Sequence, residues 1–233
     1  MRSTSGYRHV TVAQTDGRYR LTRDGEPLFV KGAGGGAGRV ENLAAHGANS
    51  VRTWSTQNAK QILDDADAAG LTVLLGLRAT PERHGFDYND ASAVRGQLER
   101  MTEEVRAFRE HPALLAWGIG NELNLSYSNP AVWNAVNDIA RMIHDVDGHH
   151  PATTMLAGVS SDVIGEITTR APDLDFLCIQ MYGSVDRAPE LIADAGYTGP
   201  YLFTEWGATG HWEVPSTGWN APIEQTSSEK ADA

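Results

Sequence analysis

Short apolar runs alternate with amphipathic stretches along nearly the whole chain. Seven runs read as strands, at residues 28–31, 50–53, 72–77, 115–119, 153–156, 175–181 and 201–204. Runs such as Val73-Leu74-Leu75 present no polar face, so they predict strands covered on both sides, as in a parallel sheet. The stretches between them predict helices with readable ends. Thr56 is placed to cap a helix carrying Ile62, Leu63 and Ala66 that stops at Gly70. Val94, Leu98, Met101, Val105 and Phe108 fall on one face of a second helix, halted before Pro112. Asn129-Pro130 opens a third, whose buried stripe is Val132, Val136, Ile139 and Ile143.

Before this alternation begins, Asp16-Gly17 and Asp24-Gly25 mark the turns of a β-hairpin. The expected organisation is therefore an N-terminal hairpin and lead-in over residues 1–27, then a barrel over residues 28–233. Strand-helix repetition favours an α/β fold of the (β/α)8 TIM-barrel type over a doubly wound sheet. The run Gly34-Gly35-Gly36-Ala37-Gly38 lacks the spacing of a dinucleotide fingerprint and reads as a rim loop. Thr226-Ser227-Ser228-Glu229 is a capping-box pattern close to the last residue, and no eighth strand follows it. The expectation is an incomplete barrel lacking strand eight, with unpaired edges open to self-association.

Charge narrows the partners. The 233 residues carry a formal net charge of -11, which argues against nucleic acid or an anionic membrane and suits a neutral, hydroxyl-rich ligand. The first residues lack the apolar core of a secretory signal, and no stretch approaches the ~20 apolar residues that span a bilayer. The lone cysteine, Cys178, sits inside an apolar run, so it reads as a buried thiol and leaves the compartment undecided.

The candidate chemistry lies at two strand ends. Gly120-Asn121-Glu122 follows one apolar run, and Glu205 follows another within Thr204-Glu205-Trp206-Gly207. A glutamate at the rim of an apolar layer is costly unless hydrogen bonds or chemistry compensate. Either glutamate alone is well explained as a helix cap or an arginine partner, whereas two in the same context point to acid/base work. In a barrel all strand C-termini meet on one face. That face would gather Arg52 and Trp54, His84, Asn121 and Glu122, Gln180 and Tyr182, and Glu205 with Trp206. Two carboxylates facing each other there suit glycosidic bond cleavage.

Trp54, Tyr88, Tyr127, Tyr182, Trp206, Trp212 and Trp219 are aromatic candidates for stacking on sugar rings, with Trp206 and Trp212 foremost. His84 is a candidate for a sugar hydroxyl. His149 and His150 have no third ligand spaced to make a metal site. No metal and no cofactor are expected, and there is no G-x-S-x-G elbow or P-loop.

With these motifs in view, the chain resembles a clan A glycoside hydrolase, closest to the barrel domain of family 2. Residues 23–32 resemble the family's lead into strand one, and residues 47–54 its strand two. Gly118-Ile119-Gly120-Asn121-Glu122 resembles the acid/base motif and Thr204-Glu205-Trp206-Gly207 the nucleophile motif. The resemblance implies a retaining glycosidase or transglycosylase acting on a β-linked oligo- or polysaccharide. Glu122 would be the general acid/base and Glu205 the nucleophile. Asn121 would bind the substrate 2-hydroxyl, and Arg52 and Tyr182 would hold Glu205. An apolar seat for Glu122 beside Trp117 should raise its pKa. The alternative is a catalytically inactive incomplete barrel that binds carbohydrate or assembles with another chain.

Overall fold

A computed structural model describes residues 8–36 and 40–231. The beginning of the lead-in and residues 37–39 of the glycine-rich rim loop lie outside the described residues.

The first three strands, β1 (Val10–Thr15), β2 (Arg18–Arg23) and β3 (Glu26–Pro27), form an antiparallel sheet in that order. Asp16 and Gly17 both have positive φ, as do Asp24 and Gly25, which is the backbone of the tight hairpin turns expected at these positions. The expected hairpin is thus a three-stranded meander. It sits at the N-terminal end of the barrel strands, where the Val10 amide donates to the His149 carbonyl.

The chain continues through β4 (Gly32–Gly34), α1 (Val40–Ala45), β5 (Ser50–Arg52), α2 (Ala59–Ala69), β6 (Thr72–Leu77), α3 (Ala91–Phe108) and β7 (Leu114–Ile119). It then runs through α4 (Ala131–Val146), β8 (Ala152–Ala157), α5 (Ser161–Arg170), β9 (Phe176–Tyr182), α6 (Ala188–Asp194), β10 (Tyr201–Gly207) and α7 (Ser227–Ala231). Seven of these strands, β4 to β10, form one parallel sheet in sequence order. The sheet curls until β10 approaches β4, giving a nearly closed barrel, although no hydrogen-bonded ladder joins those two among the described residues.

Two apolar layers hold this shape. Between sheet and helices lie Leu63, Leu75, Met101, Trp117, Trp133 and Ile139, all fully buried. Inside the barrel, Leu74, Leu115, Met155, Phe176 and Cys178 pack together with Val10 and Leu21 from the antiparallel sheet, which plugs the barrel floor. Cys178 is a free, buried thiol whose pKa burial pushes up to about 11.

Several expected boundaries move, most by a residue or so, and two for a reason the side chains show. Residues 28–31 alternate like a strand, yet the ladder to β5 starts only at Gly32. The Asn49 side chain accounts for this: it accepts from the Lys31 amide and donates to the Phe29 carbonyl, replacing ladder bonds and freeing Leu28 and Val30 to fill the floor. Thr56 does not cap α2 with its side chain; Asn58, in the left-handed region, precedes the helix, and Gly70 ends it as expected. At the far end, Thr226 and Glu229 bond reciprocally, Glu229 accepting from the Thr226 amide and Thr226 Oγ1 from the Glu229 amide, so the capping box forms and opens α7.

Candidate active site

The C-terminal ends of the barrel strands bring Arg52, Trp54, Asn121, Glu122, Gln180, Tyr182 and Glu205 together. Glu205 owes its inward direction to a β-bulge. On β10, Leu202 packs inside the barrel and Phe203 packs outside with Ala188 and Ile192, so strict alternation would turn Glu205 outward. The register slips by one residue between Phe203 and Glu205, so Glu205 pairs with Gln180 and faces the mouth.

Four donors converge on its carboxylate. Arg52 and Gln180 bond Oε1, the latter at 3.0 Å, and Trp54 Nε1 reaches the same oxygen at 3.1 Å. Tyr182 Oη donates to Oε2 at 2.8 Å. The burial of Tyr182, with the charge of Glu205 beside it, pushes its pKa up to about 12, so it stays a donor. Trp54 lies under the Arg52 guanidinium, 4.9 Å from the ring centroid, and rests where a side chain on Gly34 would collide with it at 2.5 Å.

Arg52 also donates to Asn121 Oδ1, which accepts from Gln180 Nε2 as well, at 2.9 Å. A guanidinium can only donate, so the Asn121 amide is oriented with its oxygen inward, and its NH2 has no acceptor among the described residues. Gln180, which the strand pattern places at the rim without a role, is a second link, beside Arg52, between Asn121 and Glu205. Its own Oε1 is buried without a hydrogen-bond partner among the described residues.

Glu122 leaves β7 through a contorted turn. Gly120 has φ 70°, and a Cβ there would lie 2.6 Å from Leu123 Cδ1, so only glycine fits. Glu122 itself has φ 51°, a left-handed conformation costing a non-glycine residue about 1–2 kcal/mol. The surroundings hold it there. Its amide donates to the Met155 carbonyl at 2.9 Å, and its carbonyl accepts from Arg83. The pKa of Glu122 is raised, first by burial and then by the charge of Glu205, against the opposing pull of Arg83 and Arg52. Trp117 is not the seat expected for it: that indole points into the outer layer and donates to Asp147 at 2.6 Å.

The remaining candidates are placed less centrally. Trp212 packs edge-on against Tyr182, with ring centroids 5.2 Å apart, and is exposed. Trp206 is exposed beside the cleft between β10 and β4. His84 is exposed at the end of the 3-10 turn that also carries Arg83. Tyr88 is buried and donates to the Thr80 carbonyl, Tyr127 packs on Trp133, and Trp219 is largely exposed. Arg83 is the residue that sequence reasoning misses, because nothing in its own neighbourhood marks it.

The motifs and the geometry define a barrel with a paired-carboxylate mouth. Residues 40–218 match the family model for glycosyl hydrolases family 2, TIM barrel domain, and the chain belongs to that family. It is 28% identical over 144 residues to a β-galactosidase of Leuconostoc mesenteroides subsp. mesenteroides, covering 56% of this chain and 14% of that protein. It is 27% identical over 172 residues to a β-galactosidase of Vibrio cholerae, covering 64% of this chain and 16% of that protein. The chain therefore spans about one-seventh of the length of these relatives. Among solved structures, its fold is similar to a β-D-glucuronidase of Dictyoglomus thermophilum, with TM-score 0.66, 21% identity, and coverage of 90% of this chain and 40% of that one. It is also similar to an endo-1,4-β-mannanase from Eisenia fetida, with TM-score 0.62, 17% identity, and coverage of 85% and 81%.

Proposed function

We propose that this barrel carries the active site of a retaining glycosidase or transglycosylase acting on a β-linked oligo- or polysaccharide. The observation that carries the reading is the contrast between two neighbouring carboxyl groups. Glu205 is held by four donors, whereas Glu122 is half-buried and shifted toward its neutral form. Such a divergence assigns a nucleophile and an acid.

In this mechanism Glu205 attacks the anomeric carbon while Glu122 gives its proton to the departing glycosidic oxygen, and an ester links the sugar to the protein. Glu122, now ionised, takes a proton from water, whose oxygen attacks the same carbon and releases Glu205. Oε1 of Glu205 accepts from three donors and Oε2 from one, which favours Oε2 as the attacking atom. Asn121, whose NH2 has no acceptor among the described residues, would donate to the sugar hydroxyl next to the reacting carbon, and the exposed Trp54 and Trp212 would offer apolar surface to the ring.

A second reading is favoured by the seam. A cleft of about 1460 Å³ opens between β10 and β4 and is lined by Glu205 itself, so a barrel open there would bind carbohydrate without turning it over. The deciding experiment is incubation with β-linked 2-deoxy-2-fluoroglycosides bearing good leaving groups, followed by intact mass and peptide mapping. The expected result is one sugar residue esterified to Glu205. Ligand binding without label or turnover on any of a panel of β-glycosides would establish the second reading instead.

A further inference from the structure

Glu82 and Arg83, adjacent in the 3-10 turn after β6, grip opposite ends of the loop that carries Glu122. The Arg83 guanidinium donates to the carbonyls of Glu122 and, at 3.4 Å, Asn121, and reaches toward that of Leu125. The Glu82 carboxylate accepts from the amides of Ser128 and Asn129, at 2.8 and 3.0 Å, and from Ser128 Oγ at 2.6 Å. On the other side, Asn124 pairs through its side chain with both the amide and the carbonyl of Ala157 at the end of β8. Entering and along this anchored loop the backbone turns left-handed at Gly120, Glu122 and Ser126.

We propose that Arg83 is a positioning residue for Glu122, acting with Glu82 as a charged clamp that holds the acid/base loop in its contorted form. The inference rests on the assignment of Glu122 as the acid/base. The Glu122 carbonyl also accepts from the Leu125 amide at 3.1 Å, but no helix or ladder fixes the carbonyls of this turn, and a guanidinium fork ties several of them to one rigid group. A lysine in its place would supply charge without the fork. The cation of Arg83 also opposes the rise of the Glu122 pKa. The other charged and titratable groups that act on Glu122 are Glu205 on β10, Arg52 on β5 and Tyr182 on β9.

The test compares the full chain with its Arg83→Met, Arg83→Lys and Glu122→Gln variants. The readouts are turnover of β-glycosides with poor and with good leaving groups, the pH profile, and carboxyl 13C NMR titration of glutamate. Glu122→Gln identifies the Glu122 signal by its loss. In Arg83→Met the signal is expected to titrate at higher pH, and the basic limb of the pH profile to move the same way. Turnover of poor leaving groups is expected to fall about 10- to 100-fold, with activated aryl glycosides held within a few-fold. Arg83→Lys should restore the titration but not the full rate. An unmoved Glu122 signal in a folded Arg83→Met variant overturns the proposal whether or not turnover is measurable. So does a loss of rate equal for both leaving groups. If Glu122→Gln itself leaves poor leaving groups unaffected, the acid/base assignment fails, and the clamp proposal with it.

Discussion

Arg52 and Glu205, separated by 153 residues in the chain, form an ion pair across the barrel mouth, with the arginine side chain 5% exposed and the carboxylate 20%. The same guanidinium holds Asn121, so one residue on β5 couples the loop bearing Glu122 to the strand bearing Glu205. Removing one partner of such a pair leaves a poorly solvated charge behind. Arg52→Met is therefore expected to destabilise the chain by about 2–5 kcal/mol and to depress turnover more than substrate binding. Denaturant melts and steady-state kinetics check both effects.

Substitution of the two carboxylates should separate their roles. Glu205→Ala is expected to reduce turnover on the order of 10⁴-fold or more for every substrate. Glu122→Ala should lose roughly 10²- to 10⁴-fold on alkyl glycosides and much less on aryl glycosides, whose leaving groups need no proton. Equal losses on both substrate types would contradict the assignment of Glu122.

The raised pKa of Glu122 has a sign in both stability and activity. The folded chain favours the neutral carboxyl more than the unfolded chain does. The resulting stabilisation is whole below the ordinary glutamate value and is lost as pH rises through the higher folded value. Glu122→Gln should flatten the fall in melting temperature over that window. In the parent chain, hydrolysis should persist to higher pH than an ordinary glutamate acid would allow.

Gly120→Ala tests the turn that delivers Glu122. The added Cβ meets Leu123 in a backbone conformation that alanine rarely adopts. A loss of about 1–3 kcal/mol is expected, with a larger fractional loss of activity on poor leaving groups. A variant as stable and active as the parent would show that the turn relaxes freely.

The seam between β10 and β4 carries the last prediction. The exposed side chains of Phe29, Tyr201 and Trp206 line its cleft, and the strands beside it have edges with no ladder partner among the described residues. Unpaired edges next to apolar surface template association. The 233-residue chain is expected to show concentration-dependent association in size-exclusion chromatography with light scattering. A monomer at every concentration would mean that water satisfies the seam.

Local signals make the barrel legible in the amino-acid sequence. Apolar runs without a polar face require burial on both sides, and glycine or capping residues stop the helices between them. Glu122 and Glu205 stand out because an ionisable group at the end of an apolar run is costly wherever the chain goes. Arg52, Trp54, Asn121 and Tyr182 follow from strand order, since parallel strands bring their C-terminal ends to one face. Tertiary structure alone decides what depends on phase and on distant partners. The slip at Thr204 turns Glu205 inward, although alternation along the strand points it out. Trp117 faces Asp147 rather than Glu122, because the side of a fully apolar strand cannot be read from its composition. Arg83 finds its carbonyls 38 and 39 residues away, and Gln180 joins Asn121 to Glu205 across 59 and 25 residues. Such bonds follow from where the closing sheet sets each strand end, a consequence of the packing of the whole barrel that no local stretch of sequence contains.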